Sequence, residues 1–318
     1  MEIIELNMQK IKVGIIGATG LASQELAVIL EKEPQTEIVF LQSKSAANKK
    51  SNISHLVYED LSPDAMLAKK PDLIFYGTPH GVAMQGVRFF LEHGIRVIDL
   101  SGDFRFIDLQ VFEKVYHFKH TEPDLKGVFG LPEFFAEEIK KAKLIANPGC
   151  YVTSALLTIF PLKKYFSTAV FDSKSGYSGA GKSFNKRQEL SDNTIIPYNM
   201  VRHRHLYEIQ QFFTQKIYFT PHLINTFRGI ETTAHLLLKP GAEKIDYFKI
   251  FQEAYKKASC VKVQKDIPNL KEVQNTDLAI LGGFEVDDQG RLVIVSVLDN
   301  LRKGAASQAV ENMRLMFE

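Results

Sequence analysis

Gly14-Ile-Ile-Gly17-Ala-Thr19-Gly20-Leu21-Ala-Ser23 is the stretch that decides the fold. Residues 12–16 read as a short buried strand, and residues 21–31 have the apolar spacing of an amphipathic helix. Glycines between a strand and a helix let the backbone approach a pyrophosphate and aim the helix N-terminus at it. The segment is therefore read as the phosphate turn of a dinucleotide site, with Gly17, Thr19, Gly20 and Leu21 as cofactor contacts. A tight turn without a ligand is the plain alternative. A second strand, 36–41, leads into Gln42-Ser43-Lys44-Ser45, with no acidic residue there to hold a ribose 2′-hydroxyl. The hydroxyl of Ser43 and the ammonium of Lys44 suit a 2′-phosphate, which favours NADP over NAD. A solvated Ser/Lys loop is the competing reading.

Outward from this turn the same grammar continues. Strands are expected at 73–76, 96–100 and 144–146, with a helix near 84–92. Such alternation predicts a Rossmann-type, doubly wound parallel α/β sheet. The pattern changes after Cys150. A helix over 151–165 precedes longer β runs at 169–174, 217–220, 232–238, 279–286 and 291–298. The last two flank Asp287-Asp-Gln-Gly290, a hairpin signal. This half is expected to be an α+β domain with a mostly antiparallel sheet. A final amphipathic helix, 305–317, has no strand after it and is expected to pack back on the first domain. The expected division is residues 1–149 with 300–318 for the dinucleotide, and 150–299 for catalysis and oligomerisation.

Bulk properties narrow the partners. The 318 residues, 45% of them hydrophobic, suffice for two cores. The 39 basic and 37 acidic residues leave a net charge of +2, so no global field favours nucleic acid or an anionic membrane. No apolar run is long enough to cross a bilayer, and the first residues lack the features of a signal peptide. The reading is a cytoplasmic protein. Its two cysteines, Cys150 and Cys260, fit a reducing compartment, and they are too few for a cysteine-based zinc site. No metal is expected.

Asn147-Pro-Gly-Cys150-Tyr151 stands between an apolar strand and a long helical pattern. That puts the sulfur at a helix N-terminus, where the dipole and free N–H groups favour a thiolate and later an oxyanion. Cys150 is thus the candidate nucleophile, against the alternative of an inert cysteine at a helix start. Its acid/base partner is sought in Arg202-His203-Arg-His205-Leu-Tyr207-Glu208. If Glu208 opens a helix, it stands one turn from His205 and orients that imidazole. The arginines there are candidate anion holders. Arg105, in Leu100-Ser-Gly-Asp103-Phe-Arg105, follows a strand end and is a second one, with an Asp103–Arg105 salt bridge as the alternative. Ser175-Gly-Tyr-Ser178-Gly179-Ala-Gly181-Lys182 lacks the spacing of an ATP loop and is read as flexible backbone passing a nicotinamide or phosphate.

These segments, with Asp99–Arg105, Phe219-Thr-Pro-His222 and Leu298-Asp-Asn300-Leu-Arg-Lys-Gly-Ala, resemble the N-acetyl-gamma-glutamyl-phosphate reductases of the semialdehyde dehydrogenase family over essentially the whole chain. The resemblance implies an NADPH-dependent reduction in arginine biosynthesis. Cys150 would attack an acyl phosphate, a thioester would form, and hydride transfer would release the semialdehyde. It implies that His205 carries protons, with His203 for substrate binding or as the substitute. It further implies Asn300 and Gly179 near the nicotinamide, Arg105, Asn147 and Ser178 near the substrate, and a homodimer or tetramer. Three departures stand out: Ser23 in place of a common glycine, Tyr207 in place of a usual proline, and a compact stretch from Lys182 to Tyr198. Ser23 is expected to crowd the helix packing, and Tyr207 to alter how Glu208 starts its helix. Rival readings are an N-succinyl or aminoadipate-type substrate and, from another class, a dinucleotide sensor without catalysis.

Overall fold

The computed structural model describes residues 10–53, 55–180 and 194–318. Two seven-stranded sheets carry the architecture. The first contains β1 (Ile11–Ile16), β2 (Thr36–Gln42), β3 (Tyr58–Glu59), β4 (Leu73–Tyr76), β5 (Arg96–Asp99), β6 (Val128–Phe129) and β7 (Leu144–Ala146). Its order is β3-β2-β1-β4-β5-β7-β6, and every neighbouring pair is parallel. The chain leaves β1 to one side for β2 and β3, then returns to its other side at β4. A crevice opens at that reversal, beyond the carboxyl ends of β1 and β4. Helices α1 (Leu21–Glu31), α2 (Pro63–Ala68), α3 (Ala83–Glu92), α4 (Leu109–Tyr116) and α5 (Pro132–Lys141) connect these strands.

Helix α6 (Cys150–Ile159) follows β7 directly and is buried from Tyr151 onward. It stops at Ile159, short of 165, because Pro161 cannot continue the α-helical bonding and falls in a 3₁₀ turn, Phe160–Leu162. The second sheet contains β8 (Phe166–Gly176), β9 (Ile195–Pro197), β10 (Lys216–Ile224), β11 (Ile230–Leu238), β12 (Val261–Val263), β13 (Ala279–Val286) and β14 (Arg291–Leu298). Its order is β12-β13-β14-β11-β8-β10-β9. The β8–β10 and β12–β13 pairs are parallel and the rest antiparallel. One face takes α6: Ser154 Oγ bonds Thr232 Oγ1 at 2.9 Å and Ser296 Oγ at 3.1 Å, inside a core that includes Leu156, Phe171, Ala234 and Ile294. Helices α7 (Arg204–Gln210) and α8 (Tyr247–Tyr255) complete this half.

The last helix, α9 (Ala306–Met316), returns to the first sheet as expected. Ala306, Ala309, Val310, Met313 and Met316 join the core that holds Val13, Leu26 and Ile98. Polar bonds fix its register. Gln308 Nε2 and Asn312 Nδ2 both donate to Gly130 O, at 2.8 and 3.0 Å, and a Cβ on Gly130 would lie 2.4 Å from Asn312 Nδ2. Just before α9, the buried Lys303 ammonium sits between Glu133 at 2.7 Å and Glu311 at 2.8 Å. No described helix is long and apolar enough to cross a membrane.

Candidate active site

A cavity of about 300 Å³ opens between the two sheets. The start of α1, the loops after β4, β5 and β7, the turn after β8, the start of α7 and the segment before α9 all contribute to its wall. Cys150 is the first residue of α6, and Gly149 caps that helix without a side-chain bond. Burial raises the Cys150 thiol above its ordinary range and Glu208 adds to the rise, while the Tyr151 N–H, Arg204 and Arg105 oppose it without overcoming it. Burial thus disfavours the thiolate that helix position alone would favour. Desolvation outweighs the helix terminus here.

His205 lies directly against the nucleophile's neighbour. A Cβ on Gly149 would meet its Nε2 at 2.3 Å, so only glycine admits the ring. Its Nδ1 has no hydrogen-bond partner among the described residues. His203 caps α7: its Nδ1 accepts the His205 backbone N–H at 3.2 Å, and the two rings are 4.7 Å apart. Burial holds both imidazoles neutral, with Arg204 adding to the effect; His203 is pushed down to about 3 and His205 well below its usual value.

Glu208 takes a different role from the one expected. The helix begins at Arg204, so Glu208 stands inside it, and its carboxylate does not bond His205. Oε1 accepts the Gly149 N–H at 2.9 Å, and Oε2 pairs with Arg105 Nη1 at 3.3 Å. Arg105 also donates through Nη2 to Leu100 O at 2.7 Å. The alternative Asp103–Arg105 bridge is absent: Asp103 accepts the N–H groups of Gly81 and Met84 at 2.7 and 3.1 Å. Tyr207 sits within α7, its ring 5.6 Å from Lys114 Nζ, and does not set where the helix starts. Of the arginines beside the histidines, Arg204 lines the cavity.

The nucleotide end is a cradle of glycines. Gly17 has a φ of +77°, and a Cβ there would lie 2.6 Å from Gly77 O. Gly20 caps α1 with no side chain over the helix end, and Gly20 and Leu21 line the cavity. Such a surface, bare backbone at a helix start preceded by a glycine held at positive φ, fits a pyrophosphate. Ser23 does not crowd it. Its side chain is buried, and a Cβ on Gly77 would fall 1.9 Å from Ser23 Oγ; the absent side chain at Gly77 makes the space. Of the expected cofactor contacts, Gly17, Thr19, Ser43 and Lys44 lie outside the cavity wall. Ser43 is buried at the end of β2 with its Oγ 3.4 Å from Ser45 Oγ, and Lys44 is exposed. The nearby Glu59 carboxylate is held by Lys69 at 2.9 Å.

Other expected residues are present but engaged. Asn147 Nδ2 donates to Ala305 O at 3.1 Å and its Oδ1 accepts from Asn312 Nδ2 at 3.0 Å, which ties the nucleophile's loop to α9. Asn300 accepts the Gly229 N–H at 2.6 Å and donates to Ser178 Oγ at 2.9 Å. Gly179 lines the cavity; β8 runs to Gly176 and a 3₁₀ turn covers Tyr177–Ala180, while Gly181 and Lys182 lie outside the described residues. The compact stretch after Lys182 is described only from residue 194. Sequence reasoning missed Gly77, Thr78, His80, Tyr198 and Gly304 in the wall. The first three directly follow β4 at the sheet's reversal, a position the topology could have flagged. Gly304 admits no side chain: its Cβ would meet Cys150 Cβ at 2.8 Å.

Comparison with known proteins accounts for both halves. Residues 12–142 match the semialdehyde dehydrogenase NAD-binding domain, and residues 150–300 the semialdehyde dehydrogenase dimerisation domain. The chain belongs to the semialdehyde dehydrogenase family. Within it, the chain is 43% identical to the N-acetyl-gamma-glutamyl-phosphate reductase of Methanosphaera stadtmanae, covering 98% of this chain and 96% of that one. It is 40% identical to the reductase of the same name from Methanocaldococcus jannaschii, over 96% and 95% of the two chains. Among solved structures, aspartate semialdehyde dehydrogenase II of Vibrio cholerae superposes with a TM-score of 0.76 at 18% identity, over 97% and 98% of the chains. That likeness speaks for the fold.

Proposed function

We propose that the protein reduces N-acetyl-gamma-glutamyl phosphate to N-acetylglutamate 5-semialdehyde and phosphate with NADPH, as a step of arginine biosynthesis. The observation that carries this reading is that Cys150, His205 and the glycine-capped start of α1 line one cavity. The relatives' shared name supplies the substrate. Residues 1–149 and 300–318 would form the dinucleotide domain, and 150–299 the catalytic domain through which the chain forms a dimer or tetramer in the cytoplasm.

His205, neutral, takes the Cys150 proton, and the sulfur attacks the acyl carbon. The carbon–oxygen bond to phosphate breaks, phosphate leaves with the bonding pair and takes a proton from solvent, and a thioester remains on Cys150. The reduced nicotinamide, when bound, supplies the hydride. His205 returns its proton to the oxygen of the reduced carbon, giving a hemithioacetal. It then removes that proton as the carbon–sulfur bond breaks, and passes it to the departing sulfur. Arg105 and Arg204 hold the anionic ends of the substrate, with His203, Asn147 and Ser178 beside them. Glu208 is a positioning residue: it fixes the Gly149 peptide next to the sulfur. Gly17, Thr19, Gly20 and Leu21 would hold the pyrophosphate, Ser43 and Lys44 the 2′-phosphate, and Gly179 and Asn300 the nicotinamide end.

The test is phosphate-dependent oxidation of N-acetyl- and N-succinyl-glutamate semialdehyde in parallel, with NADP and NAD. Turnover of the acetyl compound with NADP is expected. No turnover of either compound, with a Cys150 thiol that substrate does not protect from a thiol reagent, would mean a dinucleotide sensor instead.

A further inference from the structure

His80 has no part in the chemistry above, yet it is among the most carefully held side chains of the cavity. It stands just beyond the end of β4 and lines the wall together with Arg105, Arg204 and Cys150. Its Nδ1 accepts the Gly102 backbone N–H at 2.8 Å. An imidazole nitrogen that accepts carries no proton, so the proton of the neutral ring sits on Nε2. Among the described residues Nε2 has no hydrogen-bond partner. The Tyr116 ring lies against it in a tilted contact, centroids 4.7 Å apart and planes at 44°. Gly102 is needed for this arrangement: a Cβ there would lie 1.8 Å from Tyr116 Oη and 3.0 Å from His80 Nδ1. The Asp103 carboxylate holds the turn from the other side, through Gly81 N–H and Met84 N–H. The Ser-Gly-Asp segment therefore fixes the position and tautomer of one imidazole.

Burial, reinforced by Arg204 and Arg105, pushes His80 down to about 3, so the ring stays uncharged at neutral pH. A neutral donor beside two guanidiniums divides the labour within the cavity. Anions pair best with guanidinium, which leaves a neutral donor for a neutral acceptor. The substrate proposed above has two anionic ends and one neutral amide oxygen in its acyl group. Of the other neutral donors in the wall, Tyr151 Oη is bonded to His222 O at 2.9 Å, Tyr198 Oη is directed at Tyr151 Oη at 3.5 Å and Thr78 Oγ1 is buried away from the cavity space. His203 and the Ser178 hydroxyl stand beside the anionic ends in the reading above.

We propose that His80 is a substrate-binding residue whose Nε2–H donates to the amide oxygen of the substrate's N-acyl group, so that it selects acylated over free amino substrates. The inference rests on the reading of the reaction given under the proposed function. It is tested in the full-length enzyme with N-acetylglutamate semialdehyde, phosphate and NADP. Wild-type turnover comes first, and its absence would count against the reaction and not against His80. Two variants then separate structure from binding. The His80→Asn amide can still accept from Gly102 but is too short to donate where Nε2 does; His80→Gln restores a donor at that reach.

Expected is a rise of roughly 5- to 100-fold in KM for the semialdehyde in His80→Asn, the range for an unpaired buried polar group. The KM for NADP and kcat should stay within about twofold, and His80→Gln should recover most of the loss. A rise in the NADP KM alone would overturn the proposal in favour of a cofactor contact. Wild-type constants in His80→Asn would overturn it in favour of a structural role, as would an equal fall of kcat in both variants.

Discussion

Glu208 Oε1 accepts the backbone N–H of Gly149 at 2.9 Å, one residue before the nucleophile. The carboxylate thus acts on the peptide that carries Cys150, and through Oε2 it neutralises the buried Arg105. Glu208→Ala leaves a buried guanidinium unpaired, which costs on the order of 3–5 kcal/mol of stability. Urea unfolding of this variant should show that loss, and kcat should fall with it. Glu208→Gln keeps an acceptor for Gly149 and should retain more activity than stability. Equal losses of both in the two variants would argue against this division.

His205→Asn should reduce turnover severely without altering the fold, since its ring touches Gly149 and its Nδ1 has no partner to lose. Circular dichroism and single-turnover rates would separate the two effects. Unchanged turnover would move the proton-carrying role to His203.

The pH profile should be one-sided. Burial holds the Cys150 thiol up and both neighbouring imidazoles down. Raising the pH therefore increases the thiolate fraction, and kcat/KM for the semialdehyde should climb through and beyond the ordinary thiol range. No acid limb from His203 or His205 is expected near pH 6.5. A plateau reached by pH 7 would instead indicate a thiolate–imidazolium pair.

The same burial has a consequence for stability. His203 binds a proton in the unfolded chain below about pH 6.5, and in the folded chain only near about 3. Between those values the unfolded state holds the extra proton, so stability falls as pH falls. In His203→Gln, the drop in melting temperature between pH 7 and pH 4.5 should be shallower than in the wild type.

Much of this was legible in the sequence. The strand–glycine turn–helix signal located β1 and α1, the short apolar runs located β4 and β7, and the longer β-rich runs on either side of a hairpin signal located β13 and β14. The two- and three-residue strands β3, β6, β9 and β12 carry too little period to be seen; β7, as short, was legible because all three of its residues are apolar and the Asn-Pro-Gly turn follows. Cys150 and the two histidines could be picked out by residue type and position. What Glu208 does could not, because its partners lie 59 and 103 residues away in the chain. Ser23 shows the same limit from the other side. Read alone it crowds a helix; beside Gly77 it fills a gap.

That pairing makes a further test. Gly77→Ala would drive a methyl to 1.9 Å from Ser23 Oγ, beside the cradle, and should weaken NADP binding and lower the melting temperature. Ser23→Gly in the same chain should restore both. Failure of the double variant to recover would show that Gly77 matters for the ligand itself.

Asn147 reaches Ala305 and Asn312, so the loop bearing the nucleophile is anchored to a helix made more than 150 residues later. On the ribosome the order of events is therefore set. The second sheet, residues 166–298, can close while the first still waits for its last helix. Until α9 emerges, a nascent chain holds its cysteine without the bonds from Ala305 and Asn312 that seat its loop.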